Sequence, residues 1–161
     1  MNRATATHAG TNALAAFHLA DLLLGIDVER IQEVMAPLPT VPVRRAPDGV
    51  VGLVNLRGQI VAITDVRQRL GLPARESGAG CVHVIVRTGA RLDGLVVDRE
   101  GDVVAVAPGS RLETPPTVDP GIRAYVTGIH ALDGQVLLVL DVDRLLARAG
   151  EGRVEHAGTG R

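Results

Sequence analysis

Two stretches of the chain share one pattern: GLVNLRGQIVAITDV at residues 52–66 and GIHALDGQVLLVLDV at residues 128–142. In both, a glycine is followed by an apolar run, a Gly-Gln pair, a second apolar run and an Asp-Val pair, all in the same register. Glycine readily adopts the positive φ that a tight turn requires, so each copy is predicted to be a β-hairpin. The turns are expected at Arg57-Gly58 and at Asp133-Gly134.

The aspartate near the end of each copy predicts a short helix. Asp65 and Asp141 each follow an apolar strand, and an aspartate side chain there can accept hydrogen bonds from the first free amides of a helix. Leucines lie at helical spacing beyond both caps: Leu70, Leu145 and Leu146. We therefore expect a helix from Asp141 to Ala149, and also a short helix or turn at about Val28 to Gln32.

A weaker repeat precedes each hairpin. The segment GIDVERIQEV at residues 25–34 matches GLVVDREGDV at residues 94–103, so the order of elements is duplicated. Connections that follow both segments are rich in proline, which stiffens loops and cannot continue a strand ladder. Two copies of one strand-rich unit predict a mainly all-β fold, with two small barrels packed against each other.

Composition excludes several classes of protein. The chain has 161 residues and 46% hydrophobic content, but aromatic residues make up only 1%, so its core must consist of small aliphatic side chains. A net charge of −1 gives no long-range attraction for nucleic acid or anionic lipid. A single cysteine, Cys81, rules out an internal disulfide framework.

The ends and the apolar runs indicate where the protein acts. No apolar run approaches the roughly 18 residues of a membrane span, and the N-terminus has no secretion signal. We therefore expect a cytoplasmic protein without direct membrane insertion. Residues 1–12 and 149–161 are too polar and Gly-rich to order themselves and are expected to be disordered tails around one folded domain at residues 13–148.

Signatures of catalysis and of metal or cofactor binding are absent from the sequence. The P-loop, zinc-protease, Cys-x-x-Cys and Gly-x-Ser-x-Gly motifs do not occur. Gly78-Ala79-Gly80 precedes a predicted strand, whereas a phosphate loop follows one. Cys81 and His83 alternate along that strand and do not form a nucleophile and base pair. We expect no enzyme, no cofactor and no metal.

The first hairpin also carries a family resemblance. The sequence Val54-Asn55-Leu56-Arg57-Gly58 and its continuation to Val66 resemble the NLRG signature of the bacterial chemotaxis coupling proteins, the CheW-like domain family. Matching residues run through the whole of residues ~14–148. Two positions depart from the family pattern: Ala62 replaces a proline, and Leu24 replaces an aromatic residue, and both changes are tolerable in packing.

The resemblance implies both a fold and a function. Family members consist of two intertwined, SH3-like, five-stranded β-barrel subdomains with a short C-terminal helix. They have no enzymatic activity, and they couple methyl-accepting chemoreceptors to a CheA-type histidine kinase in signalling arrays. The partners implied for this chain are therefore the regulatory domain of that kinase and the cytoplasmic tip of a chemoreceptor. Such an adaptor is recruited from the cytoplasm to membrane-associated receptor arrays.

The resemblance also implies which residues meet each partner. The residues that match the kinase-binding region are Ile31, Glu33, Val34, Val41 and Val43. The residues that match the receptor-binding region are Arg57, Val97 and Val103. The alternative is that the valines fill the core and that Glu33 and Arg57 simply brace each other.

A second function class remains open from the sequence. In it, the chain is a ligand-binding or catalytic barrel that holds a small molecule between the subdomains through His18, His83 or His130. That function predicts a concave pocket with convergent polar groups.

Overall fold

The computed structural model describes residues 12–147, so the predicted tails lie outside the described part except for Asn12, where the first strand begins. The ten strands are β1 Asn12–Leu19, β2 Leu22–Asp27, β3 Ile31–Met35, β4 Val50–Leu56, β5 Gln59–Asp65, β6 Val82–Thr88, β7 Arg91–Val97, β8 Arg99–Val106, β9 Val126–Leu132 and β10 Gln135–Leu140. The α-helices are α1 Val66–Leu70, α2 Pro120–Arg123 and α3 Val142–Leu146, and a 3₁₀ helix spans Val28–Arg30. No described helix is long and apolar enough to cross a membrane.

The strands form two five-stranded sheets, which confirms the mainly all-β, two-barrel fold. The first barrel has the order β3-β6-β7-β5-β4 and the second has the order β8-β1-β2-β10-β9. Each barrel combines two strands from one half of the chain with three from the other half. The two repeats are therefore intertwined, and neither half can form its own complete sheet.

Both hairpins turn where the repeat predicts. In the first, Leu56 pairs with Gln59 around Arg57-Gly58, and both turn residues have positive φ, +51° and +85°. That backbone matches the twist of antiparallel strands joined by two residues. In the second, Gly134 has a φ of +73° whereas Asp133 is not among the positive-φ residues, so the two turns differ in conformation.

The glycine that opens each copy of the repeat allows a connecting segment to cross the hairpin closely. Val41, in the connection between β3 and β4, forms a bridge with Leu53, and Leu112 forms the equivalent bridge with Ile129. A Cβ atom on Gly52 would lie 2.4 Å from the Val41 carbonyl oxygen, and one on Gly128 would lie 2.8 Å from that of Leu112. The shared glycines therefore serve the fold in both barrels.

The caps and the central core are as predicted. The Asp65 side chain accepts a hydrogen bond from the Arg67 amide, and the Asp141 side chain accepts one from the Arg144 amide. The predicted leucine stripe is buried against both barrels. The helix after Asp141 is assigned to Val142–Leu146, and the end of the predicted range lies outside the described residues. The short helix expected near Val28 is the 3₁₀ helix.

Ion pairs at the junction tie the barrels together. The Asp98 carboxylate accepts hydrogen bonds from the Arg67 and Arg75 guanidinium groups and from the Ala20 amide of the other barrel. The bond from Arg67, with those from Ala20 and Arg75, holds the pKa of Asp98 well below its usual range. Arg30, at the end of the 3₁₀ helix, donates to both carboxylate oxygens of Asp143 in α3.

Candidate functional site

The tip of the first hairpin presents Arg57 to solvent. Its side chain is 67% exposed, yet it pairs with Glu33 of β3 through two hydrogen bonds, Nη1 to Oε1 at 2.5 Å and Nη2 to Oε2 at 2.9 Å. This pairing lowers the pKa of Glu33. Since β3 and β4 are the two edges of the first sheet, the ion pair bridges the seam of the first barrel. Glu33 and Arg57 thus do brace each other, as the structural alternative predicted.

A turn contact that the sequence analysis did not identify supports this tip. The Asn55 side-chain oxygen accepts a hydrogen bond from the Gly58 amide at 2.8 Å, across the turn that contains Arg57. Asparagine commonly accepts from the backbone of the turn that follows it. The replacement of Asn55 by Ala131 in the second copy was the sequence signal for a difference between the tips.

The equivalent positions in the second barrel carry the opposite charge. Asp133 replaces Arg57, and Asp102 replaces Glu33. Both aspartates are exposed, and neither forms an ion pair with another residue in the described range. The seam of the second barrel therefore has no counterpart of the Glu33–Arg57 bridge.

An apolar groove lies between the two barrels. Ile31 and Val34 are half-buried on its first-barrel side, and Val103 of β8, 66% exposed, lies on its second-barrel side. Val28 of the 3₁₀ helix adds a further exposed apolar side chain, and the cavity between these residues has a volume of about 190 Å³. The structure thus brings together residues that the resemblance had divided between kinase and receptor. We call this feature the inter-barrel groove.

A second exposed apolar surface lies on the first barrel. Val41 pairs with Leu53, and Leu53 pairs with Ala62, so these three side chains share the outer face of the sheet. Ile60, two residues before Ala62, shares this face and is 61% exposed, and Val41 is 67% exposed. Val43 follows on the same connection and is exposed as well. We call this feature the outer face.

Val97 does not belong to either surface. Its side chain is 0% exposed and lies in the central core with residues of both barrels. The residue is a packing residue in this structure, as the structural alternative allowed for the valines. It lies at the end of β7, a strand that is buried along most of its length.

The three histidines in the described part of the chain do not converge on a common site. His83 on β6 is buried in the first barrel and His130 on β9 is buried in the second, whereas His18 is half-buried on β1. Burial lowers the pKa of His83, and burial together with the nearby Arg111 charge lowers the pKa of His130. No group of three His, Cys, Asp or Glu side chains within residues 12–147 has a geometry that could hold a metal ion.

A larger cavity does not match the ligand-binding alternative either. It has a volume of about 560 Å³ and opens on the second barrel, beside Val136 and Ile129. None of the three histidines lines it, and its walls are mainly apolar with Asp21 and Asp119 among them. The convergent polar groups that the alternative requires are not assembled there.

Comparison with known proteins gives one consistent family. The family model described as "CheW-like domain" matches residues 14–150. A protein named "Chemotaxis protein CheW" from Rhizobium meliloti is 28% identical over 134 residues, covering 83% of this chain and 86% of the relative. One of the same name from Treponema pallidum is 30% identical over 139 residues, covering 83% of this chain and 81% of the relative.

The fold has a counterpart among solved structures. The crystal structure of scaffolding protein TtCheW from Thermoanaerobacter tengcongensis superimposes with a TM-score of 0.78 and 26% sequence identity. The match covers 87% of this chain and 90% of that chain, so it includes both barrels and not one repeat alone.

Proposed function

This chain belongs to the CheW-like domain family, and from that premise we propose that it is a non-catalytic chemosensory adaptor that couples chemoreceptors to a histidine kinase of the chemotaxis type. The observation that carries the proposal is the family match over residues 14–150, which spans the whole described fold. Relatives named as chemotaxis proteins and a neighbour named as a scaffolding protein support the same function.

An adaptor of this kind needs two separate surfaces, one for each partner. We assign the outer face, with Val41, Val43 and Ile60, to the regulatory domain of the kinase. We assign the inter-barrel groove to the helical tip of the receptor, because an apolar groove of exposed valines suits an amphipathic helix. We assign Ile31 and Val34 to the receptor surface as well, and not to the kinase surface, since they line the same cavity as Val103.

The Glu33–Arg57 pair lies at the hairpin tip of the first barrel. Its guanidinium is already oriented by Glu33 and by the turn, so less side-chain entropy is lost when a partner carboxylate approaches. An oriented arginine is also a residue type that is enriched among strong interface contacts. We therefore propose that Arg57 contacts a partner while Glu33 holds it in place.

Signal transfer by such a protein involves no bond-making step. If the adaptor binds the active and inactive arrangements of receptor and kinase with different affinity, each partner shifts the state of the other. The intertwined sheets suit this role, since the chain passes from β2 of one barrel directly to β3 of the other, and from β7 directly to β8, so that a displacement of one barrel acts on the other. We place the protein in the cytoplasm, recruited to membrane-associated receptor arrays.

The test is a binding experiment with separated partners. The chain and its Arg57→Glu variant are titrated with a purified kinase regulatory domain and, separately, with a receptor cytoplasmic fragment. We expect binding of both partners, and at least a tenfold loss for one of them with Arg57→Glu. Asp133→Arg, at the equivalent tip of the second hairpin, is the matched control and should retain both affinities.

Two further variants separate the surfaces. Val41→Asp should weaken the kinase complex and spare the receptor complex, whereas Val103→Asp should do the reverse. Both side chains are exposed, so neither substitution buries a charge in the free protein. If neither partner binds the unchanged protein, the adaptor function is wrong; if both variants lose the same partner, the assignment of the two surfaces is wrong.

A further inference from the structure

In each barrel, a buried histidine forms a hydrogen bond with the segment that connects β3 to β4 or β8 to β9. In the first barrel the Leu38 amide donates to Nδ1 of His83, with 3.4 Å between the nitrogens. In the second barrel Nδ1 of His130 lies 3.2 Å from the Ser110 hydroxyl oxygen. Leu38 and Ser110 occupy corresponding places, just before the residues that bridge to β4 and β9. Both imidazoles are buried, with 3% and 4% exposed.

The two hydrogen bonds have opposite polarity. A backbone N–H can only donate, so Nδ1 of His83 is the acceptor and the proton of the neutral ring lies on Nε2. The Ser110 hydroxyl donates its hydrogen to the Ala107 carbonyl at 2.6 Å, so its oxygen accepts from His130. Nδ1 of His130 is therefore the protonated nitrogen, and the two histidines are opposite tautomers.

The direction of each hydrogen bond determines whether protonation of the histidine breaks it. Protonation of His83 converts Nδ1 from acceptor to donor, and the Leu38 amide then faces another donor. Protonation of His130 adds a proton at Nε2 and leaves the bond to Ser110 in place. Acid therefore removes the histidine contact from the first connection and keeps it in the second.

We propose that His83 is a proton-sensitive latch on the connection between β3 and β4, and that its release loosens Val41 and Val43 on the outer face. The proposal rests on the function proposed above for that face. Val41 follows Leu38 by three residues, and two backbone hydrogen bonds to Leu53, each 2.8 Å, are then the remaining described hydrogen bonds between this stretch and the sheet.

The groups around His83 supply no countercharge for an imidazolium. Its ladder partners are Met35 on β3 and Val96 on β7, and the nearest titratable residue in the sequence is Cys81, which lies just before β6. Burial lowers the pKa of His83, so the closed form holds fewer protons than the open form below the ordinary value of about 6.5. The ratio of open to closed connection thus rises up to about tenfold per pH unit below pH 6.5, until the pKa of the closed form is reached.

Amide hydrogen exchange at pH 7.5 and pH 5.5, corrected for intrinsic rates, tests the latch directly. We expect the amides of Leu38, Val41 and Leu53 to lose up to about tenfold protection in acid. The amides of Leu112 and Ile129 form the same bridge in the second barrel. Burial also lowers the pKa of His130, so any loss of their protection in acid should be removed by His130→Asn and not by His83→Asn. Unchanged protection of Leu38 and Val41 between the two pH values would overturn the proposal.

Two variants isolate the histidine. In His83→Asn, the side-chain oxygen can accept from Leu38 but does not titrate, so protection should be the same at both pH values. His130→Asn should leave the pH dependence at Val41 unchanged. If His83→Asn does not fold, nitrogen-15 spectra of the unchanged protein decide: a proton on Nδ1 of His83 at pH 7.5 contradicts the latch.

Affinity for the kinase regulatory domain connects the latch to function. We expect weaker binding at pH 5.5 than at pH 7.5, and no such difference in His83→Asn. A failure to bind the kinase domain at pH 7.5 contradicts the adaptor function. If the protection of the Val41 amide is the same at both pH values, the latch alone is contradicted. The two proposals can therefore fail separately.

Discussion

The two hairpins have one backbone plan and opposite chemistry at their tips. Both begin with a glycine that a connecting segment crosses closely, and both end in an aspartate that caps a helix. At the tip, however, the first hairpin carries Arg57, paired with Glu33, and the second carries Asp133, which forms no ion pair within residues 12–147. The residues that the copies share maintain the fold, and the residues that differ are the candidates for binding.

The shared glycines should give the largest effects, because they test the common plan. Gly52→Ala and Gly128→Ala both place a Cβ atom against a backbone oxygen that can only yield if the bridge opens. We expect each variant to lose about 3 kcal/mol of unfolding free energy in urea titrations. Gly80→Ala is the control, since a Cβ atom there meets no other atom within 4 Å. Tolerance at one glycine only would show that the two connections are not equivalent.

Asp98 tests the junction that the two barrels share. The equivalent residue of the first copy is Glu29, whose side chain is exposed and has no such set of arginines among residues 12–147. We expect Asp98→Asn to cost about 2 kcal/mol, because Arg67 and Arg75 lose a half-buried charged acceptor. Glu29→Gln should cost almost nothing in the same urea titration.

Acid adds a second test of Asp98. Its pKa is lowered on folding, so its stabilising contribution is complete above the ordinary value of about 3.9. That contribution is lost as the pH falls through the depressed pKa of the folded state. Unfolding curves between pH 7 and pH 2 should therefore fall less steeply in Asp98→Asn than in the unchanged protein. Parallel curves would contradict the assigned role of this carboxylate.

Local pattern in the sequence was sufficient to predict the hairpins and the caps. Turn glycines and helix-capping aspartates act on residues within a few positions of themselves, so the repeat at residues 52–66 and 128–142 carries that information directly. The exchange of strands between barrels is different. It depends on pairings such as β2 with β10 and β5 with β7, which join distant parts of the chain, and it was expected only from the family resemblance.

The binding surfaces were less predictable than the fold for a related reason. The residue type of a valine on a strand does not show whether its side chain faces the core or solvent. The burial of Val97 and the exposure of Val103 could therefore not be predicted from residue type. The Glu33–Arg57 pair joins strands at opposite edges of one sheet, and its charges gave a signal only because Arg57 and Asp133 could be compared.

Asn55 sharpens the comparison at the level of the turn. Its side-chain bond to the Gly58 amide is missing from the second hairpin, where Ala131 stands. We expect Asn55→Ala to lose about 1 kcal/mol in urea titrations, since one hydrogen bond is removed. The reverse change, Ala131→Asn, should bring no gain of that size, because the second turn has a different backbone. A gain of about 1 kcal/mol there would contradict the difference between the turns.

The smallest effect on stability is expected at the tip charges themselves. Arg57 is 67% exposed, and exposed ion pairs are screened by water and salt, so Arg57→Glu should leave the urea midpoint almost unchanged. Stability alone therefore cannot distinguish a brace from a binding residue.

The exchanged pair, Glu33→Arg with Arg57→Glu, can do so, because it keeps the ion pair and reverses its direction. If Arg57 only braces the seam, the exchanged pair should restore the partner affinity that Arg57→Glu loses. If a partner carboxylate contacts Arg57, affinity measured by calorimetry should stay low although the pair is present, which is the outcome we expect.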